Sequence, residues 1–234
     1  MTTPARRLPF LLALSSVLLL AGRPSAQEPA RPAWATEVDA LFATWDKPGS
    51  PGCVLGVIQD GELVYARGYG EASLEHGVAI TPATVFDIGS TSKQFTAAAI
   101  GLLVQDGKLK VEQEVHEWIE ELGTYEHDVT LDHLLHHTSG LPDYIGLMTD
   151  DEADVTTPAQ ALDALTTVEE LHFEPGTRFE YSNSNFFLLA LVVARAAGQP
   201  FHEFVQARIF APLGMTSTRL FHDHTLVIPQ RASG

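Results

Sequence analysis

Cysteine is nearly absent from this 234-residue sequence. The single one, Cys53, cannot close an internal disulfide, and its apolar, strand-like surroundings suit a small core side chain better than a thiol nucleophile. Basic residues are scarce as well: 14 Lys and Arg stand against 30 Asp and Glu, a net charge of −16. That balance argues against nucleic acid and anionic membrane surfaces as partners. The longest apolar run, residues 8–21, is too short to span a bilayer. Internal repeats and low-complexity tracts are missing. So is a Gly-x-Ser-x-Gly elbow, which removes the usual signature of one conventional Ser-His-Asp hydrolase class.

What is present begins with a leader. Arg6 and Arg7 precede the apolar run, and small residues follow it near Ser25-Ala26, so residues 1–26 read as a secretory signal peptide. A retained anchor is the alternative, and the shortness of the run argues against it. Without residues 1–26 the balance is 11 basic to 30 acidic residues, or −19. The expected location is periplasmic or secreted, with no membrane span after signal removal. Residues 27–33, rich in Pro and Ala, read as a linker, and 34–234 as one incomplete domain.

That domain has 45% hydrophobic residues over the chain, enough for a sizeable core. Residues 34–45 have helical spacing through Val38, Leu41, Phe42 and Trp45. Two strand-like runs, 53–59 and 62–69, flank Asp60-Gly61, a type I′ hairpin signature. Residues 79–86 read as a short connection. Helical segments then dominate: one from Ser90 to the stop at Asp106-Gly107, 130–137 with Thr130 as N-cap, 158–170, about 185–197, and 201–210. Strand candidates after residue 90 are confined to 177–181 and 217–221. A hairpin is marginal alone, so the fold class is α/β (α+β), an antiparallel sheet flanked by helices plus a helical region. The sheet looks unfinished, and a truncated version of a longer fold is expected.

The chemical anomaly lies at Gly89-Ser90-Thr91-Ser92-Lys93. It opens a helix that is apolar nearly all round and therefore expected inside the protein. A lysine in its first turn, on the face of Ser90, is costly there unless something uses it. In one reading Ser90 or Thr91 caps the helix, Thr91 and Gln94 form a capping box, and Lys93 reaches water. In the other, Ser90 is a nucleophile and Lys93 takes its proton. A second element is Tyr181-Ser182-Asn183. Tyr and Asn two apart in an extended loop point to one side and deliver a phenol and an amide together. Alternatively Asn183 or Ser184 caps the next helix and Tyr181 packs on the surface.

Other clusters carry less. His133, His136 and His137 have spacing that could offer a metal two or three nitrogens, but no acidic or cysteine partner sits at a diagnostic distance. His222-Asp223-His224 is weaker. The acidic runs 112–121 and 150–154 read as solvated faces or loops.

Taken together, Ser90-x-x-Lys93, His136-His137-Thr138-Ser139-Gly140-Leu141-Pro142 and Tyr181-Ser182-Asn183 resemble the serine β-lactamase and DD-peptidase superfamily, on the branch similar to class C β-lactamases and serine esterases. The resemblance runs from about Val38 to the end of the chain. It implies a β-lactamase/transpeptidase-like fold and an acyl-serine hydrolase without metal or organic cofactor. By that resemblance Ser90 attacks an amide or ester carbonyl, Lys93 is its base, and Tyr181 relays protons with its pKa lowered by Lys93. Asn183 binds substrate or orients Lys93, and the Ser90 N–H supplies half of an oxyanion hole. The implied substrates are a small molecule or a peptidoglycan peptide: a β-lactam, a D-alanyl peptide or a small ester. The superfamily's third motif, Lys-Thr-Gly or His-x-Gly on a later strand, does not occur after Tyr181. Losing one oxyanion donor costs about 10²–10³ in rate. The rival expectation is therefore a catalytically inactive truncated member that acts as a binding module.

Overall fold

The computed structural model describes residues 31–148, 157–223 and 225–233. The leader 1–26, most of the 27–33 linker, the acidic run 150–154 and His224 lie outside the described residues. The chain divides into two compact units, one ending at Pro82 and one beginning at Ala83.

The first unit is built on the hairpin that the Asp-Gly dipeptide predicts. Strands β1 (Cys53–Gln59) and β2 (Glu62–Tyr69) pair antiparallel, Cys53 opposite Tyr69, with a register shift at Val57/Ile58. Both turn residues are left-handed, Asp60 at φ 52° and Gly61 at φ 82°, as a type I′ turn requires. Helix α1 (Ala35–Phe42) packs against this hairpin, with Phe42 stacked on Tyr69 at 4.6 Å and Trp34 against Tyr65 at 5.5 Å. Beneath them is a polar knot. Asp39 accepts hydrogen bonds from Tyr65, from Tyr69 (2.8 Å) and from Arg31, and pairs with Arg67. A second, smaller hairpin, β3 (Glu71–Ser73) with β4 (Val78–Ala79), lies just ahead of the connection over 79–86, in a stretch where the sequence reading assigns no strand. Its strands are too short to show an alternating pattern.

The second unit is helical. Helix α2 (Lys93–Gln105) is preceded by a 3₁₀ turn over Gly89–Ser92. Another 3₁₀ turn (Val115–Glu117) leads to α3 (Leu131–Leu135), capped as expected by Thr130, with His133 closing a capping box. Then come α4 (Tyr144–Leu147), α5 (Pro158–Thr166), the long α6 (Asn183–Ala197) and α7 (Phe201–Val205), which runs into a single π turn, Gln206–Phe210. The core forms where Ala99, Ile100 and Leu103 of α2 meet Leu188, Leu189, Val192 and Val193 of α6, all at most 1% exposed. Truncating a buried leucine such as Leu188 to alanine there would cost about 2–5 kcal/mol.

Three expectations are corrected. Helix α2 is buried on one stripe only: Ala98, Gly101 and Val104 are exposed, because packing on α6 covers just the i, i+3, i+4, i+7 side. Helix α6 starts at Asn183, two residues earlier than the sequence suggests, so Asn183 is its first helical residue rather than part of an extended loop. Residues 177–181 and 217–221 form no regular strand. Instead, Glu180 N–H donates to the His137 carbonyl, and the segment is held by the turn it lies against. Near the other end, Val85 makes an isolated parallel bridge with Arg231, its N–H donating to Gln230 O at 2.9 Å.

Candidate active site

The chain enters the site through a sharp turn. The Asp87 carboxylate accepts the Gly89 N–H at 2.9 Å, and Gly89 sits at φ 50°, a conformation a side chain would strain. The 3₁₀ turn then brings Ser90 round ahead of α2. Neither Ser90 nor Thr91 caps the helix: no side-chain cap hydrogen bond exists at either helical start, and Gln94 donates to the Thr91 carbonyl instead. The Ser90 hydroxyl is left exposed and is used elsewhere. Its Oγ lies 2.8 Å from the Tyr181 hydroxyl and accepts from Lys93 Nζ at 3.1 Å. Lys93 Nζ also donates to Asn183 Oδ1 at 2.9 Å and stands 5.0 Å from the Tyr181 ring centroid. Tyr181 OH donates to the same Asn183 oxygen at 3.3 Å. All four residues singled out from the sequence therefore converge on one another.

The electrostatics follow from who faces whom. The Lys93 ammonium, then the Ser90 hydroxyl, stabilise the phenolate and hold the Tyr181 pKa below its ordinary 10.0, against opposing effects of burial and of the Asp143 charge. Tyr181 remains 46% exposed, so the phenol is accessible.

The turn 136–143 holds this arrangement, and here the sequence reading missed individual roles. His137, left-handed at φ 55°, stacks on the Tyr181 ring with centroids 4.6 Å apart. Its Nδ1 accepts the Ser182 N–H (3.3 Å) and contacts Asn185 Nδ2 (3.1 Å), which leaves the ring proton on Nε2. Desolvation first, then the Lys93 charge, depress its pKa and keep it neutral. Ser139 Oγ donates to Asn185 Oδ1 at 2.6 Å, while Ser182 and Ser184 both donate to the Pro142 carbonyl. Asp143 caps α4 through Ile145 N–H and takes both the backbone N–H and the side-chain amide of Asn183. The local signal for this is the polar run His136-His137-Thr138-Ser139 ahead of Gly140-Leu141-Pro142; the contacts from this turn to residues 182–185 cross forty or more residues. The three histidines weighed as metal ligands each have their own partners: His133 accepts from Thr130 N–H, His136 bonds the Asp132 carbonyl, and His137 serves Ser182.

Comparison with known proteins gives the family and the fold. The family described as Beta-lactamase matches residues 38–229, and the chain belongs to that family. Penicillin-binding protein 4* of Bacillus subtilis (strain 168) is 35% identical over 190 residues, covering 79% of this chain and 41% of the relative. Among solved structures, the octameric penicillin-binding protein homologue from Pyrococcus abyssi superposes with a TM-score of 0.73 at 29% identity, over 85% of this chain and 46% of that one. The D-amino acid amidase from Ochrobactrum anthropi SV3, complexed with D-phenylalanine, gives 0.70 at 28% identity, over 84% and 56%. The fold is thus that of the serine β-lactamases and DD-peptidases, and the chain spans 41% of the length of the Bacillus relative. Among the described residues, no helix is long and apolar enough to cross a membrane.

Proposed function

We propose that this chain carries the nucleophile, base and proton relay of an acyl-serine hydrolase acting on amide or ester carbonyls. The supporting observation is that the Ser90 hydroxyl bonds to both Lys93 Nζ and Tyr181 OH instead of capping its helix. Ser90 Oγ attacks the carbonyl carbon and yields its proton to the Lys93–Tyr181 pair in the state where that pair holds one proton fewer, as lysine amine beside phenol or ammonium beside phenolate, with Lys93 as the activating base. The Ser90 N–H, in the turn before α2, donates to the developing oxyanion. As the bond to the leaving group breaks, Tyr181 delivers the proton to the departing nitrogen or oxygen, leaving an acyl-Ser90. Water then attacks that acyl group, returns its proton through Tyr181 and regenerates the serine. Asn183 keeps Lys93 aimed at Ser90. Protein groups alone supply this chemistry.

The substrate classes are D-alanyl peptides, β-lactams and small esters or amides. The named relatives, a penicillin-binding protein and a D-amino acid amidase, support that range. Residues 1–26 act as the export signal, 27–33 as a linker and 34–234 as hydrolase domain, which places the protein in the periplasm or outside the cell. A fluorophosphonate probe tests the nucleophile. One adduct should appear in the intact mass of the parent chain and vanish in Ser90→Ala. Equal labelling of both proteins would overturn the assignment.

A further inference from the structure

Asn183 can hold Lys93 only if its carbonyl oxygen, and not its NH₂, faces the ammonium. Nothing in the amide alone decides that, since its two ends are nearly the same shape. Asp143 decides it. Its Oδ2 accepts Asn183 Nδ2 at 2.8 Å and the Asn183 backbone N–H at 2.9 Å, while Oδ1 accepts the Ile145 N–H at 3.1 Å. Turning the amide over would set its oxygen against the carboxylate and its NH₂ against Lys93, two repulsive contacts in place of two charge-assisted bonds.

We infer that Asp143 is a positioning residue that locks the Asn183 amide and, through it, aims Lys93 at Ser90. This inference rests on the acyl-serine reading above. It extends the site by a carboxylate that touches neither Ser90 nor a substrate carbonyl.

The charge has a second consequence. Tyr181 is faced by Lys93, Ser90, Asn183 and the ring of His137, and the Asp143 carboxylate raises both the Tyr181 phenol and His137 against the effect of Lys93. Removing that negative charge lowers the Tyr181 pKa further. Two variants separate the lock from the charge. Asp143→Leu removes both. Asp143→Asn can still present a carbonyl oxygen to the two Asn183 donors, so it preserves the lock and removes the charge.

The test is the second-order rate of fluorophosphonate labelling at Ser90 across pH, on the full chain, with the melting temperature recorded for each variant. Asp143→Leu should label about 10²-fold more slowly, the cost of a misplaced catalytic group. Asp143→Asn should recover most of that rate, and the acidic limb of its pH profile should move to lower pH. If Asp143→Leu does not fold, Asp143→Ala, which also removes lock and charge together, takes its place in the rate comparison, since the shifted limb of Asp143→Asn reports the charge alone. Labelling of both variants at the parent rate with an unshifted limb overturns the positioning role while the acyl-serine reading stands. Absence of Ser90 labelling in the parent overturns both.

Discussion

Two sites in this molecule set a tyrosine hydroxyl against a charged side chain and tune the phenol in opposite directions. In the hairpin unit, Tyr65 and Tyr69 point at the carboxylate of Asp39, and Tyr69 is fully buried. Burial first, then hydrogen bonding to Tyr65 and Asp39, pushes the Tyr69 pKa far above the ordinary phenol range. The Tyr65 hydroxyl foremost, helped by Tyr69, Arg31 and Arg67, holds Asp39 down to about 2. In the helical unit, Tyr181 is nearly half exposed and points at an ammonium and a hydroxyl, and its pKa falls. A phenol beside a carboxylate is a fixed donor. A phenol beside a lysine, within reach of solvent, can give its proton up and take it back. The first arrangement holds a strand and a helix together; the second suits a proton relay.

The largest effect that would sharpen this contrast is at Lys93. Lys93→Met removes the donor to Ser90 and Asn183 together, so Ser90 labelling should slow by about 10²–10⁴-fold. Because Lys93 is the leading cause of the Tyr181 shift, the phenol midpoint should climb back toward 10.0. An unchanged midpoint would break the comparison at its root.

The paired phenol deletions come next. Tyr181→Phe should cut labelling by about 10²-fold with its denaturation midpoint held. Tyr69→Phe should do the reverse: the Asp39 carboxylate loses a buried donor, at about 1–3 kcal/mol in urea unfolding, with labelling preserved while the chain is folded. A smaller effect is expected with acid. The Asp39 pKa is lower in the folded state than its ordinary 3.8, so the stability it contributes is complete above pH 3.8. That contribution is lost as pH falls through about 2. Urea melts stepped from neutral pH to pH 2 should show a decline that Asp39→Asn flattens.

The parts of this architecture legible in the sequence are those with local causes. Asp60-Gly61 announces the hairpin because both residues must take positive φ, and Thr130 announces a helix start because its hydroxyl caps three residues on. Ser90 and Lys93 sit one turn apart and were readable as a pair. Their meeting with Tyr181 and Asn183 spans some ninety residues and was reached only through the combined motif pattern. The start of α6 was misplaced because Ser182-Asn183 has the composition of a loop. What continues the helix back to Asn183 is the Asp143 carboxylate accepting its N–H from another turn. The exposed side of α2 was misread for a related reason: an all-apolar helix predicts burial but does not say which faces find a partner.

The most direct test of the central claim is a phenol titration by NMR on the chain with ¹³Cζ-labelled tyrosine, its five resonances assigned with Tyr181→Phe and Tyr69→Phe. Tyr181 should titrate below 10.0 while Tyr69 stays protonated for as long as the fold persists. A Tyr181 midpoint at or above 10.0 in the folded chain would contradict this, and with it the proton relay assigned to that residue.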